Sequence, residues 1–167
     1  MSERFRIIAS GGRDFLDRQT VRNALFGVAR EAGGYDRILV VHGHCPASND
    51  APGADQLAEE WACDHWHAGV RIERHPAGWD HCAPDCPPRH RIRKRPGDTV
   101  HPGRLPDYCP GAGPRRNAEM VAKGGRLLLA FPTPASRGTW NAVRLAKAAG
   151  IEVRIIRSTM TTGAARA

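Results

Sequence analysis

The sequence predicts an α/β fold: a Rossmann-like parallel sheet of about five strands, in the order 3-2-1-4-5, with helices on both faces. Three observations lead there. Apolar runs of strand length alternate with stretches of helical period through most of the 167 residues. The runs at 36–43 and 126–132 are apolar without alternation, as strands buried on both faces are. Strand–helix–strand units of this kind close with a right-handed crossover into a parallel sheet.

The elements follow in order. "RFRIIAS" (4–10) is β-branched and aromatic and ends at Gly11-Gly12, so it reads as a strand. From Asp17, Val21, Leu25, Val28, Ala29 and Ala32 recur at helical spacing until Gly33-Gly34. "DRILVVHG" (36–43) is the second strand. In 54–68, Leu57, Ala58, Trp61, Ala62 and His65 share one helix face, and "GVRIERHPA" (69–77) is a short strand. The stretch 113–125 is a helix with Pro114 at its first position and a glycine stop. "RLLLAFP" (126–132) is a strand, 136–150 a helix and 151–157 the last strand. One domain is therefore expected over 1–157, with a loose tail at 158–167.

Composition narrows the function classes. The apolar share is 41% and the charged share 25%, as in globular domains. The formal charge of +8 favours an anionic partner, either nucleic acid or a phosphorylated small molecule. No apolar stretch approaches the ~20 residues of a membrane span. The first residues lack the apolar core of a signal peptide, so a cytoplasmic protein without structural disulfides is expected. A homo-oligomer is expected as well.

In parallel sheets ligands bind beyond the carboxyl ends of the strands, so the loops there carry the functional reading. "SGGRDF" (10–15) lacks the later glycines of a dinucleotide fingerprint. Its Gly11 and Gly12 still let backbone N–H groups approach an anion, and Arg13 adds a forked donor. Asp14 is suited to a ribose hydroxyl or to bracing the loop. The second loop runs from Gly43 to "PGAD", with Gly53 and Asp55 at a helix start, where a carboxylate also suits the helix dipole. "GPRRN" puts Arg115, Arg116 and Asn117 in a helix's first turn, where cations oppose the dipole unless an anion binds between them and the free N–H groups. "RGT" (137–139) is a similar entry, with Gly138 and Thr139. Trp79 either walls the pocket or packs a loop on the core. Together the loops point to a nucleotide or phosphoribosyl ligand.

Residues 80–112 have neither period. Cys82, Cys86, His90 and Cys109 stand there as C-x3-C-x3-H-x18-C, three of the chain's five cysteines. Thiolates and an imidazole in this grouping suit a structural Zn²⁺ of the Cys3His type, with His81 and His101 as alternative ligands. Free thiols in a loose loop and a disulfide are the competing readings. Between these residues runs "RHRIRKR", whose Arg89, Arg91, Arg93, Lys94 and Arg95 suit nucleic-acid phosphates or solvent.

"GGRDF", "VVHG…PGADQLAEEWA", "GPRRNAEM" and "LLLAFP…RGTWNAV", in that order, resemble the YspA-type branch of the SLOG superfamily over about residues 4–156. That superfamily includes the Lonely Guy phosphoribohydrolases and the DprA-like proteins, and its YspA-type members occur in bacteria and phages. The resemblance implies a nucleotide-derived ligand at the strand ends, held by a sensor or by an N-glycosidase-like enzyme. It nominates Arg116 for phosphate and Gly138-Thr139 for the adjoining turn. In the hydrolases a glutamate follows that threonine by two residues; here Asn141 stands in its place. Asp14, Asp55 and Glu119 remain as catalytic candidates.

Overall fold

The computed structural model describes residues 3–46 and 51–160. Strand β1 (Phe5–Gly11) leads to helix α1 (Arg18–Ala32), a 3-10 turn (Tyr35–Arg37) and β2 (Ile38–His42). Helix α2 (Gly53–Asp64), a second 3-10 turn (Trp66–Ala68) and β3 (Arg71–Arg74) follow. After the insertion come α3 (Ala112–Ala122), β6 (Leu127–Phe131), α4 (Arg137–Ala148) and β7 (Glu152–Ile155). The insertion itself holds a two-residue pair, β4 (Ile92–Arg93) and β5 (Asp107–Tyr108).

The five long strands pair in parallel in the order β3-β2-β1-β6-β7, the expected 3-2-1-4-5 once the small β4-β5 pair is set aside. β1 is central, with Ile8 beside Val41 on one side and beside Leu128 on the other. β6 is buried along its whole length, because helices cover both faces. One face packs Ile7, Val40, Leu127 and Phe131 against Leu25 of α1 and Leu57 and Trp61 of α2. The other packs Ile8, Val41 and Leu128 against Met120 of α3 and Val143 of α4. At about 25 cal/mol per Å² of apolar surface, these two layers are the main source of stability.

Two elements end earlier than their sequence period. α2 stops at Asp64 and turns into the 3-10 segment rather than reaching 68, with Gly69 in the left-handed region. β3 is four residues rather than nine, since β2 offers partners only for Arg71–Arg74.

Asp17 caps α1, accepting from the Thr20 N–H at 3.0 Å and its hydroxyl at 2.7 Å. The same carboxylate accepts from the Ser158 hydroxyl (2.8 Å) and from the backbone N–H groups of Thr159 (2.7 Å) and Met160 (3.2 Å). So the chain after β7 is fastened through residue 160; the rest of the expected loose tail, 161–167, lies outside the described residues. Burial opposes the Asp17 charge, but the bonds from Thr20, Ser158 and Thr159 outweigh it and hold the carboxyl far below the usual range. A folded-state value below the unfolded one adds stability above about pH 4 and loses it as pH falls. Asp17→Ala is expected to cost about 2 kcal/mol at pH 7 in urea unfolding, with the gap to the natural chain closing steadily below about pH 4. A gap independent of pH would refute that role.

Candidate functional site

A cavity of about 630 Å³ opens at the carboxyl ends of β1, β2 and β6. Here the strand order reverses, with β2 leaving β1 on one side and β6 on the other, so the crevice is a consequence of topology. Gly11, Gly12, Arg13 and Asp14 form one wall, Gly43, Cys45 and Asp55 the next, and Arg116, Asn117 and Thr139 the third. Trp79, Val100, His101 and Tyr108 close it from the side of the insertion.

Small residues bring the walls together. A side chain at Gly11 would overlap Ala54, and the Gly12 carbonyl accepts from the Ala54 N–H at 3.0 Å, which seats the start of α2 against β1. Gly53 has φ +72 and lies against the Arg13 backbone; its role is this close approach, and it does not line the cavity. A side chain at Gly43 would overlap the Arg116 guanidinium, so Gly43 is where the arginine crosses the end of β2.

Four helices bear on the sheet, and their N-termini differ. α1, away from the cavity, is capped by Asp17. α2, α3 and α4 begin at Pro52, Gly111 and Ser136 with no side-chain cap among the described residues, and residues of their first turns line the cavity. The Ser136 hydroxyl is engaged by the Thr133 N–H at 2.7 Å instead. Uncapped first turns present N–H donors and a partial positive charge to whatever occupies the space between them. Thr139 stands in the first turn of α4, 2% exposed, and its hydroxyl has no partner among the described residues. A buried hydroxyl left unpaired is costly, and a ligand oxygen would satisfy it.

The two arginines of α3 divide. Arg116 is buried and donates to the carbonyls of Gly43 and His75 (3.1 Å to the latter), at the ends of β2 and β3. Its Nε donates to Asn117 Oδ1 at 2.9 Å, and its Nη2 faces Cys45 Sγ at 3.4 Å. Its hydrogen-bond acceptors among the described residues are all uncharged groups: two backbone carbonyls, an amide oxygen and a thiol sulfur. Burial pushes the Cys45 thiol up to about 11, which keeps it neutral there. Asn117 donates to the Gly138 carbonyl and to Asn141 Oδ1, both at 3.1 Å, tying α3 to α4. Asn141 thus lines the cavity as an amide already holding a hydrogen bond.

Of the three carboxylates proposed for catalysis, two line the cavity. Asp14 accepts from the Thr133 hydroxyl at 2.7 Å, and buried Asp55 accepts from the Cys45 N–H at 3.1 Å. Glu119 lies on the exposed side of α3, because the helical period turns Gly113, Arg116, Asn117 and Met120 inward and leaves 119 outside the cavity.

Arg115 turns the other way. Its guanidinium reaches Cys86 Sγ (3.3 Å), Cys109 Sγ (3.6 Å) and the His81 carbonyl (2.8 Å). Cys82, Cys86, His90 and Cys109 put their ligand atoms within 4.8 Å of one another, a cluster that could hold a metal ion. Cys86 and Cys109 sulfurs are 3.8 Å apart, and His90 Nε2 is 3.3 Å from Cys82 Sγ and 3.2 Å from Cys109 Sγ. Four ligands around one tetrahedral ion with sulfur bonds of about 2.3 Å require such spacings. His90 Nδ1 donates to the Pro87 carbonyl at 2.5 Å, which leaves Nε2 its lone pair, the outer bond a metal-binding histidine needs. Burial opposes the Cys109 thiolate, yet hydrogen bonds from the Arg115 guanidinium and the Gly111 N–H bring the thiol down to about 6. The rings of His81 and His101 are not part of this cluster.

A second group, His42, His44 and Glu59, is also close-set. His42 Nδ1 accepts the His44 N–H at 3.1 Å, so in the neutral ring the proton sits on Nε2, which then has no lone pair for a metal. Arg74 already occupies Glu59, and the group is an ion-pair cluster.

The basic run is partly consumed by the fold. Arg91 pairs with Asp107 at 2.7 Å, and Lys94 donates to the Gly103 carbonyl at 3.2 Å. Arg89, Arg93 and Arg95 remain exposed.

A parallel α/β sheet with a crevice at its switch point defines a Rossmann-like class of protein, and the sequence comparisons say which. Residues 5–81 match the family described as "YspA, cpYpsA-related SLOG family". The Gene 61 protein of Mycobacterium phage D29 is 32% identical over 151 residues, covering 89% of this chain and 93% of that protein. The chain belongs to this SLOG family. No helix among the described residues is long and apolar enough to cross a membrane.

Proposed function

We propose that the protein binds a nucleotide or nucleotide-derived phosphate in this cavity, as a sensor or as an N-glycosidase-like enzyme. The carrying observation is the Thr139 hydroxyl, buried and unpaired between the uncapped first turns of α3 and α4. Phosphate sits on these turns, with the buried Arg116 charge close behind and Gly12 and Arg13 on the opposite wall. Asp14 and Asp55 are placed for ribose hydroxyls, and Trp79 for the base. The insertion is a structural zinc site on Cys82, Cys86, His90 and Cys109; soft thiolates with one imidazole favour zinc over hard cations. Nucleic-acid binding through the basic run has less support, since two of its five cations are held internally.

Calorimetry with AMP, ADP, ribose 5-phosphate and adenosine tests the reading. The three phosphorylated compounds should bind and raise Tm, and Thr139→Val should weaken them about tenfold while leaving adenosine unchanged. If none of the phosphorylated compounds binds, the reading falls.

A further inference from the structure

The cavity contains an acid–base arrangement that lies outside the loops of the main fold. In the insertion, "DTVH" (98–101) forms a tight turn. Asp98 Oδ1 accepts the backbone N–H groups of Val100 (2.8 Å) and His101 (3.0 Å). Asp98 Oδ2 lies 2.9 Å from His101 Nδ1. A carboxylate only accepts, so Nδ1 carries the proton and Nε2 of the neutral ring carries a lone pair. The imidazole is clamped flat on Tyr108 (3.7 Å between centroids, 5° between planes) and edge-on to Trp79 at 4.7 Å. Val100, between the two, has its carbonyl bound by Arg13 at 2.6 Å, which locks the turn to the β1 loop. His101 lines the cavity, its side chain 20% exposed. Its Nε2 has no hydrogen-bond partner among the described residues.

This is the arrangement a general base requires: an imidazole on the cavity wall with one nitrogen fixed by a carboxylate and the other without a partner among the described residues. Asn141 takes no proton, and its amide oxygen is engaged by Asn117. We propose that His101 is the catalytic base of the cavity, positioned by Asp98, for the hydrolysis of a nucleotide's N-glycosidic bond already put forward for this site. The proposal rests on the nucleotide reading above. Water oxygen bonds to C1′ as the C1′–N bond breaks, its electron pair leaving on the base nitrogen. The water proton passes to His101 Nε2 and from there to the departing nitrogen, giving the free base and ribose 5-phosphate.

The test uses the zinc-loaded full chain with AMP, GMP, CMP and UMP, measuring released base by chromatography and binding by calorimetry. The natural chain should release base from at least one of them. His101→Asn should lower kcat about 100-fold or more with Kd changed less than about threefold. In His101→Ala, added imidazole should restore part of the rate, which a purely structural role would not allow. Asp98→Asn should reduce kcat without raising KM, and Asp98→Glu should recover much of it. Melting curves decide which of the four variants are folded, and either folded His101 variant or folded Asp98→Asn serves. Tight binding of nucleotide with no base released by the natural chain overturns the proposal and leaves the nucleotide reading standing. So does undiminished turnover in folded His101→Asn. Absence of nucleotide binding removes both.

Discussion

Protein purified without chelator is expected to carry one zinc per chain, and stripping it should unravel residues 80–112 while the five-stranded sheet survives. The segment has little else to order it. Its apolar cluster is Trp79, Cys109 and Ala112 with Ala77, Cys86 and Tyr108 at the margin, and its regular structure is the two-residue β4-β5 pair. A cluster of that size cannot offset the ordering cost of about 1–2 kcal/mol per residue. Structural zinc supplies about 10–16 kcal/mol in small zinc-folded peptides, enough to change the balance. Cys109→Ser, at the buried ligand, should therefore lose the metal and make the segment sensitive to protease. Elemental analysis together with limited proteolysis checks this, and less than about half a zinc per chain would overturn it. Loss of the metal should also reach the cavity. Cys109 donates its N–H to the Trp79 carbonyl at 2.9 Å and lies three residues before α3, so the aromatic wall and the first turn of α3 share its anchor.

Arg116→Met should both destabilise the protein and abolish phosphate binding. The guanidinium joins the ends of β2 and β3 through two backbone carbonyls. Removing it leaves two buried acceptors unpaired, at about 1–3 kcal/mol each, so a loss of about 2–6 kcal/mol in urea unfolding is expected. It also removes the buried positive charge beside the anion-binding turns. Thr139→Val separates the two effects, because the Thr139 hydroxyl has no partner among the described residues. Affinity lost in both variants, with stability lost only in Arg116→Met, is the expected pattern. Unchanged stability in Arg116→Met would show that water replaces the guanidinium at those carbonyls.

The comparison of sequence and structure turns on what is local. Apolar runs at 36–43 and 126–132 and the helical periods between them depend on burial alone, so the strands, the helices and their parallel arrangement were legible. So was the Cys82, Cys86, His90 and Cys109 grouping, since thiols and an imidazole in an aperiodic segment have little other use. The ends of α2 and β3 were not, because they depend on how many partners β2 offers.

The site shows the same division more sharply. That Gly12, Arg13, Asp55, Arg116 and Thr139 belong to loops at one edge of a parallel sheet follows from their places in the sequence. Which way each points does not. Arg115 and Arg116 are neighbours of one residue type, yet one faces cysteine sulfurs and the other two carbonyls, because successive helical residues diverge by about 100°. Glu119 is on the outer side of α3 for the same reason. His101 reads in sequence as a spare zinc ligand, and only the folding of the insertion over the β1 loop brings it beside Tyr108 and the cavity. The sequence by itself determined the layers and the Cys82, Cys86, His90 and Cys109 grouping that could hold a metal, because periodicity and side-chain chemistry are local properties. Tertiary structure alone decided which charges face the cavity, because that depends on contacts between segments as distant as Arg13 and Val100.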